Sequence, residues 1–114
     1  MAIAAAAAIE RHPHLAQHTP AGFVRVDMHS HTMFSGDSTT TLDEIAESVV
    51  EAGIDVLCVT DHNAIEGALR LQRALEGDGV CRVVVGEEVR THTGEIIGLF
   101  LSERIPFGLP AAET

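Results

Sequence analysis

The chain has no tryptophan and no tyrosine, and four phenylalanines are its only aromatic residues. Its core is therefore expected to be aliphatic, and it offers almost no stacking platform for single-stranded nucleic acid. Basic residues are scarce too: 7 lysines and arginines stand against 17 acidic residues, a formal net charge of −10. Affinity for nucleic acid comes mainly from Lys and Arg on phosphates, so nucleic acid is not expected as a tight partner. The two cysteines, Cys58 and Cys81, lie inside apolar strand-like runs. They read as buried reduced thiols rather than a disulfide, which suits a reducing cytoplasm. The apolar run Ala2–Ile9 is too short to span a bilayer, lacks a positive leader region, and is followed at once by Glu10 and Arg11. Neither a membrane partner nor a signal peptide is expected from it.

With 114 residues, of which 46% are hydrophobic and 21% charged, the chain fits one soluble domain with a modest core. Residues 1–21 read as an Ala-rich extension, with His12, His14 and His18 in a tail rather than in a site. Residues 22–114 read as the folded domain. There, strand and helix signals alternate. Phe23–Met28 is a first strand. Thr41 and Glu44 have capping-box spacing ahead of an apolar stripe of Leu42, Ile45, Ala46 and Val49, and Gly53 fits the residue that ends that helix. Asp55–Thr60 is a second strand, nearly continuous in apolar residues, as expected when both faces are covered. Asn63 and Glu66 repeat the cap pattern before a second helix, with Ile65, Ala68, Leu69 and Leu75 inward and Gly77 as its stop. Val80–Val85 is a third strand, and His92-Thr93-Gly94 a tight turn into a fourth, Glu95–Leu101. Short links between strand, helix and strand imply right-handed crossovers and a mostly parallel α/β sheet.

Metal-ligand residue types gather where these strands end. His29 and His31, spaced i, i+2, project to one side of an extended chain and can offer two nitrogens to one cation. Asp37, Asp61–His62 and Glu87–Glu88 each follow an apolar run of their own. Core packing does not explain such a pattern, whereas a polynuclear metal site does, because chemistry in parallel α/β folds collects at the C-terminal ends of strands. Ser35, Ser38 and Thr32 read as turn residues, with positioning of a phosphate by their hydroxyls as the alternative.

The segments Asp27-Met-His29-Ser-His31-Thr32 with Ser35-Gly-Asp37-Ser38, then Val59-Thr60-Asp61-His62-Asn63 with Ile65-Glu66-Gly67, then Val85-Gly86-Glu87-Glu88-Val89 resemble, in that order, the three motifs of the PHP (polymerase and histidinol phosphatase) family. The resemblance implies a distorted, TIM-like β/α barrel that holds two or three divalent metal ions (Mn, Zn or Fe) and hydrolyses phosphate esters with metal-activated water. It implies that His29 and His31 bind one ion, that Glu88 rather than Glu87 bridges it to another, and that Asp37 and His62 bind the next. Asp27 and Asp61 would accept the outer N–H of imidazoles, with capping or bracing a turn as the alternative for each, and Asp61 is also the candidate for proton transfer. Glu95 stands three residues before Gly98, where many members carry a histidine. It is a further candidate ligand through oxygen, with loss of a ligand there as the alternative.

The family's later His and Asp-x-His ligands have no counterpart in this chain. It therefore reads as the N-terminal portion of the domain, a barrel truncated at its C-terminus, with Pro110 resembling the opening turn of one more helix. Open sheet edges then call for cover, by self-association or by the missing half of the barrel. The preferred function is a phosphoesterase acting on a small phosphorylated molecule. A non-catalytic or regulatory metal-binding module, and a structural fragment with incidental histidines, are the competing readings.

Overall fold

A computed structural model describes residues 20–114. The expected N-terminal extension, with its three histidines, lies outside the described residues apart from its last two positions. The elements are β1 (Val26–Ser30), α1 (Leu42–Ala52), β2 (Val56–Val59), α2 (Glu66–Leu71) running on into a π-helical turn (Gln72–Glu76), β3 (Arg82–Arg90), β4 (Glu95–Leu99) and a final 3-10 turn (Ala111–Glu113). They make a mixed α/β unit around one curled sheet in the order β1-β2-β3-β4. The first two pairings are parallel and the last is antiparallel. Among the described residues, no helix is long and apolar enough to cross a membrane.

Helix α1 follows from local chemistry. The Thr41 hydroxyl accepts the Glu44 N–H, and the Glu44 carboxylate accepts the Thr41 N–H, closing the capping box. At the other end Gly53 takes a left-handed φ of 66°, a conformation that costs glycine nothing. Leu42, Ile45, Ala46 and Val49 of α1 then meet Ala68, Leu71 and Leu75 over one face of the sheet, on Leu57, Val59, Val83 and Val85. Aliphatic side chains fill this core without any aromatic ring among its fully buried members. Cys58 and Cys81 are free and buried, and burial pushes the Cys81 thiol up to about 11.

The second helix departs from expectation mainly at its start. Asn63 does not cap it: Asn63 stands in the left-handed region at φ 53°, and its side-chain oxygen accepts the Arg90 N–H instead. The helix begins after Ile65, which makes no side-chain cap. At the other end Gly77 follows the last residue of the π-helical turn, as expected of its stop, but it does so with a helical φ of −59°, and the left-handed residue is Gly79. The intervening π-helical turn presents Gln72 and Glu76 to the edge of β3. There Gln72 Nε2 donates to the Val83 carbonyl (3.0 Å) and Glu76 Oε1 accepts the Val83 N–H (3.3 Å). Two side chains thus occupy backbone groups that a neighbouring strand would otherwise bond.

Strands differ from expectation mainly in register and length. β1 starts later than expected and carries His29 and Ser30 within it, leaving Phe23 and Val24 exposed ahead of it. β3 does not stop at Val85 but continues to Arg90. Its first half pairs with β2 (Val83↔Leu57, Val85↔Val59), its second with β4 (Glu88↔Ile97, Arg90↔Glu95). Gly86 lies at the changeover, where an added Cβ would stand 2.8 Å from the Gly98 carbonyl oxygen. Because β4 runs back, its first residue, Glu95, lies at the same sheet end as the C-termini of the parallel strands. After β4 the chain returns along β3, with Leu101 N–H on the Val85 carbonyl and Gly108 N–H on the Arg90 carbonyl. Pro110 directly precedes a 3-10 turn, Ala111–Glu113.

Candidate metal centre

Five segments deliver ligand-type side chains to one end of the sheet. β1 brings His29, and the loop after it brings His31 and Asp37. The β2–α2 loop brings His62, which bridges to Glu88 as a parallel β-neighbour. The second half of β3 and the start of β4 add Glu88 and Glu95.

Three overlapping groups have donor atoms within 4.8 Å of one another: His29, His31 and Glu88; His31, Asp37 and His62; His62, Glu88 and Glu95. The first is the tightest. Glu88 Oε2 lies 2.9 Å from His29 Nε2 and 2.8 Å from His31 Nε2, and the two nitrogens are 3.1 Å apart. Three electron-pair donors aimed at one another need a proton or a cation between them. Donors at roughly 2.0–2.2 Å from a tetrahedrally bound ion stand about 3.4 Å apart, so spacings of 2.8–3.1 Å need to open only slightly to take one. The donor set, imidazole nitrogen with carboxylate oxygen, suits Mn²⁺, Fe²⁺ or Zn²⁺.

The rest of the cluster is arranged around Asp37 and His62. His31 turns Nδ1 to Asp37 (3.0 Å), while His62 places Nε2 at 3.2 Å from Asp37 Oδ2 and Nδ1 at 3.4 Å from Glu95 Oε2. Electrostatics follow from this crowding. Partial burial disfavours charging of His31, but the Asp37 and Glu88 carboxylates outweigh it and raise its pKa. Hydrogen bonds from Ser35 and His31 hold the exposed Asp37 at about 2. Burial pushes Glu88 the other way, yet His29, Glu95 and His62 win and lower it. Asp37 and Glu88 are thus held ionised, as cation ligands must be.

Every candidate ligand named from the sequence, His29, His31, Asp37, His62, Glu88 and Glu95, comes to this one place. The two flanking aspartates behave differently from expectation. Asp61 does not accept an imidazole N–H. It is buried, and its two oxygens take the Thr32 N–H (2.5 Å) and the Thr32 hydroxyl (2.6 Å). The carboxylate therefore pins the His31–Asp37 loop rather than facing the donors. Asp27 Oδ1 accepts the backbone N–H of His29 (3.0 Å), not its ring.

Two hydroxyls that read as ordinary turn residues are central to the loop. Ser35 donates to Asp37 Oδ1 (2.6 Å) and accepts the His62 N–H (3.0 Å), which ties two ligand segments together. Thr32 also accepts the Phe34 N–H (3.1 Å). Both are buried. The two-residue spacing of Ser35 to Asp37 was the available signal, since a hydroxyl so placed can reach a carboxylate two positions on. Gly67 belongs to the same arrangement, because a Cβ there would collide with Thr32 Oγ1 and stand 2.8 Å from Asp61 Oδ2.

Comparison with known proteins matches residues 27–105 to the PHP domain family, a span that contains the whole cluster. The chain belongs to the PHP domain family. It is 40% identical over 101 residues to the uncharacterized protein MJ1587 of Methanocaldococcus jannaschii, covering 80% of this chain and 58% of that protein. It is 37% identical over 78 residues to a probable phosphatase of Vibrio campbellii, covering 60% of this chain and 31% of the relative. A probable histidinol-phosphatase of Thermotoga maritima is 42% identical over 41 residues, 36% of this chain and 18% of its own length. The PHP chain described here thus spans little more than half of one relative and under a third of the other two.

Proposed function

We propose that this PHP domain hydrolyses phosphate esters of small molecules at a site of two or three divalent metal ions. The observation that carries the reading is the convergence of His29, His31 and Glu88, whose donor atoms stand 2.8–3.1 Å apart and leave their lone pairs on one point. The matching family and the phosphatase names of two relatives support the same chemistry. The curled, mostly parallel sheet, with every donor at one end, fits one part of a larger β/α barrel.

In this reading His29, His31 and Glu88 would hold one ion, Asp37 and His62 the next, and Glu88 with Glu95 a third. Divalent ions so held would supply Lewis acidity to a water nucleophile and to phosphoryl oxygens. The chain's own groups prepare that site. Asp37, 3.0 Å from His31 Nδ1, holds the ring proton there, which would leave the Nε2 lone pair for the ion that Glu88 also faces. Ser35 holds Asp37 in place while its oxygen anchors the His62 backbone. Asp61, both oxygens engaged by Thr32, fixes the loop.

The net charge of −10 and the absence of lysine favour a small substrate over a polyanion. Elemental analysis of protein purified without chelator, beside a phosphatase assay on mononucleotides with added Mn²⁺, tests the proposal. Bound metal with metal-dependent turnover is the expected result, both lost in His29→Ala. Unchanged metal content in His29→Ala and Asp37→Ala would refute the ligand assignment. Metal uptake without turnover would favour the non-catalytic reading.

A further inference from the structure

Arg90, the last residue of β3, is placed to meet whatever anion the cluster receives. It stands directly opposite Glu95 in the antiparallel pairing. Directly opposed residues in such a pair project from the same face of the sheet. Glu95 faces the cluster, its Oε2 3.4 Å from His62 Nδ1. Arg90 also follows Glu88 by two residues, which again puts it on that face. Its backbone is tied on both sides, the N–H to Asn63 Oδ1 (3.3 Å) and the carbonyl to the Gly108 N–H (2.8 Å). The left-handed Asn63, next to His62, is thus committed to holding Arg90 at the rim.

The guanidinium is exposed and makes no ion pair among the described residues. Other arginines are engaged elsewhere: Arg70 pairs with Glu66 and lies over Phe34, and Arg104 lies over Phe107. With no lysine in the chain, few cations are available to this end of the sheet. A guanidinium beside a cation-loaded cluster is repelled unless an anion lies between them. Its planar fork matches two oxygens of a phosphate.

We propose that Arg90 clamps a non-bridging oxygen of a phosphoryl group held at the His29–His31–Glu88 cluster, and so selects for a phosphate dianion. The inference rests on the metal-site reading above and adds a residue that the motif positions do not include. The bland alternative is an arginine that merely neutralises Glu95.

Calorimetric titration of inorganic phosphate into Mn²⁺-loaded protein separates them, with metal content measured on the same samples. Arg90→Ala is expected to keep its metal and to bind phosphate at least 10-fold more weakly, with KM for a phosphate ester rising more than kcat falls. Arg90→Lys should recover part of the affinity, since it keeps the charge and loses the fork. Phosphate binding unchanged in Arg90→Ala would overturn the inference and leave the metal site standing. Loss of metal together with phosphate would overturn it too, because Arg90 would then act through Glu95. A wild-type protein that takes up no metal would remove the metal-site reading and this inference with it.

Discussion

Glu87 and Glu88 are adjacent, chemically identical, and placed in opposite surroundings. Glu88 faces two imidazole nitrogens within 3 Å and is held ionised. Glu87 points to the helix-covered side, wholly buried, where one oxygen accepts the Ile105 N–H (2.8 Å) and the other has no partner among the described residues. Burial raises its pKa, only partly opposed by that hydrogen bond and by Arg104. Strand alternation alone separates the two. The covered face, built from valines and leucines, supplies stability, while the open face spends its side chains on donors. On β2, Leu57 and Val59 likewise enter the core below α1 and α2.

The sharpest way to break this comparison is to make one substitution at both positions. Glu88→Gln removes the charge that two imidazoles converge on. Loss of even a supporting residue around a metal typically costs 10–100-fold in affinity, so a direct donor should cost at least about 100-fold. Glu87→Gln should leave metal affinity unchanged. Competition of each variant against a fluorescent chelator for Mn²⁺ or Zn²⁺ checks this. Equal losses at both positions would mean that both carboxylates serve the ions and that strand alternation does not separate them.

A smaller effect tests whether the covered face supports the open one. Gly67 opens α2 directly beneath the Thr32–Asp61 contact, and a methyl group there has nowhere to go. Gly67→Ala should cost about 1–3 kcal/mol, as overpacking usually does, and should loosen the loop that carries His31 and Asp37. Urea unfolding reads the first expectation and metal titration the second. A destabilised protein with unaltered metal affinity would show that the loop is positioned without Asp61.

How far the sequence revealed this arrangement depends on how local each cause is. Helix α1 was legible because Thr41, Glu44 and Gly53 act within a few residues of one another. The start of α2 was not, because Asn63 answers to Arg90, 27 positions away, rather than to its own helix. β3 read short because Gly86-Glu87-Glu88 looks like a loop until β4 supplies the pairing partner. Candidate ligands were visible as donor types recurring at strand ends, and they do gather. Their supports were less visible: Asp61 was expected to face an imidazole, yet it holds Thr32, a contact that only the folded loop creates.

The finest test lies in the pH dependence of stability, where the two glutamates should again part. Glu87 titrates above its ordinary value of 4.5 in the folded protein because burial disfavours its charge. A carboxyl whose folded pKa exceeds its unfolded one contributes stability that is fully present below the unfolded value. That contribution is lost as pH rises through the folded value. Glutamine keeps the acceptor for the Ile105 N–H and has no charge to bury. Relative to wild type, Glu87→Gln should therefore gain stability between pH 4.5 and pH 7.5, by less than the ~1–3 kcal/mol expected at Gly67. Paired urea melts at the two pH values measure the difference, and the cluster's own titration cancels because it is common to both proteins. A gap that shrinks toward neutral pH would mean that Arg104 and the Ile105 hydrogen bond outweigh burial at Glu87 and would undo its contrast with Glu88.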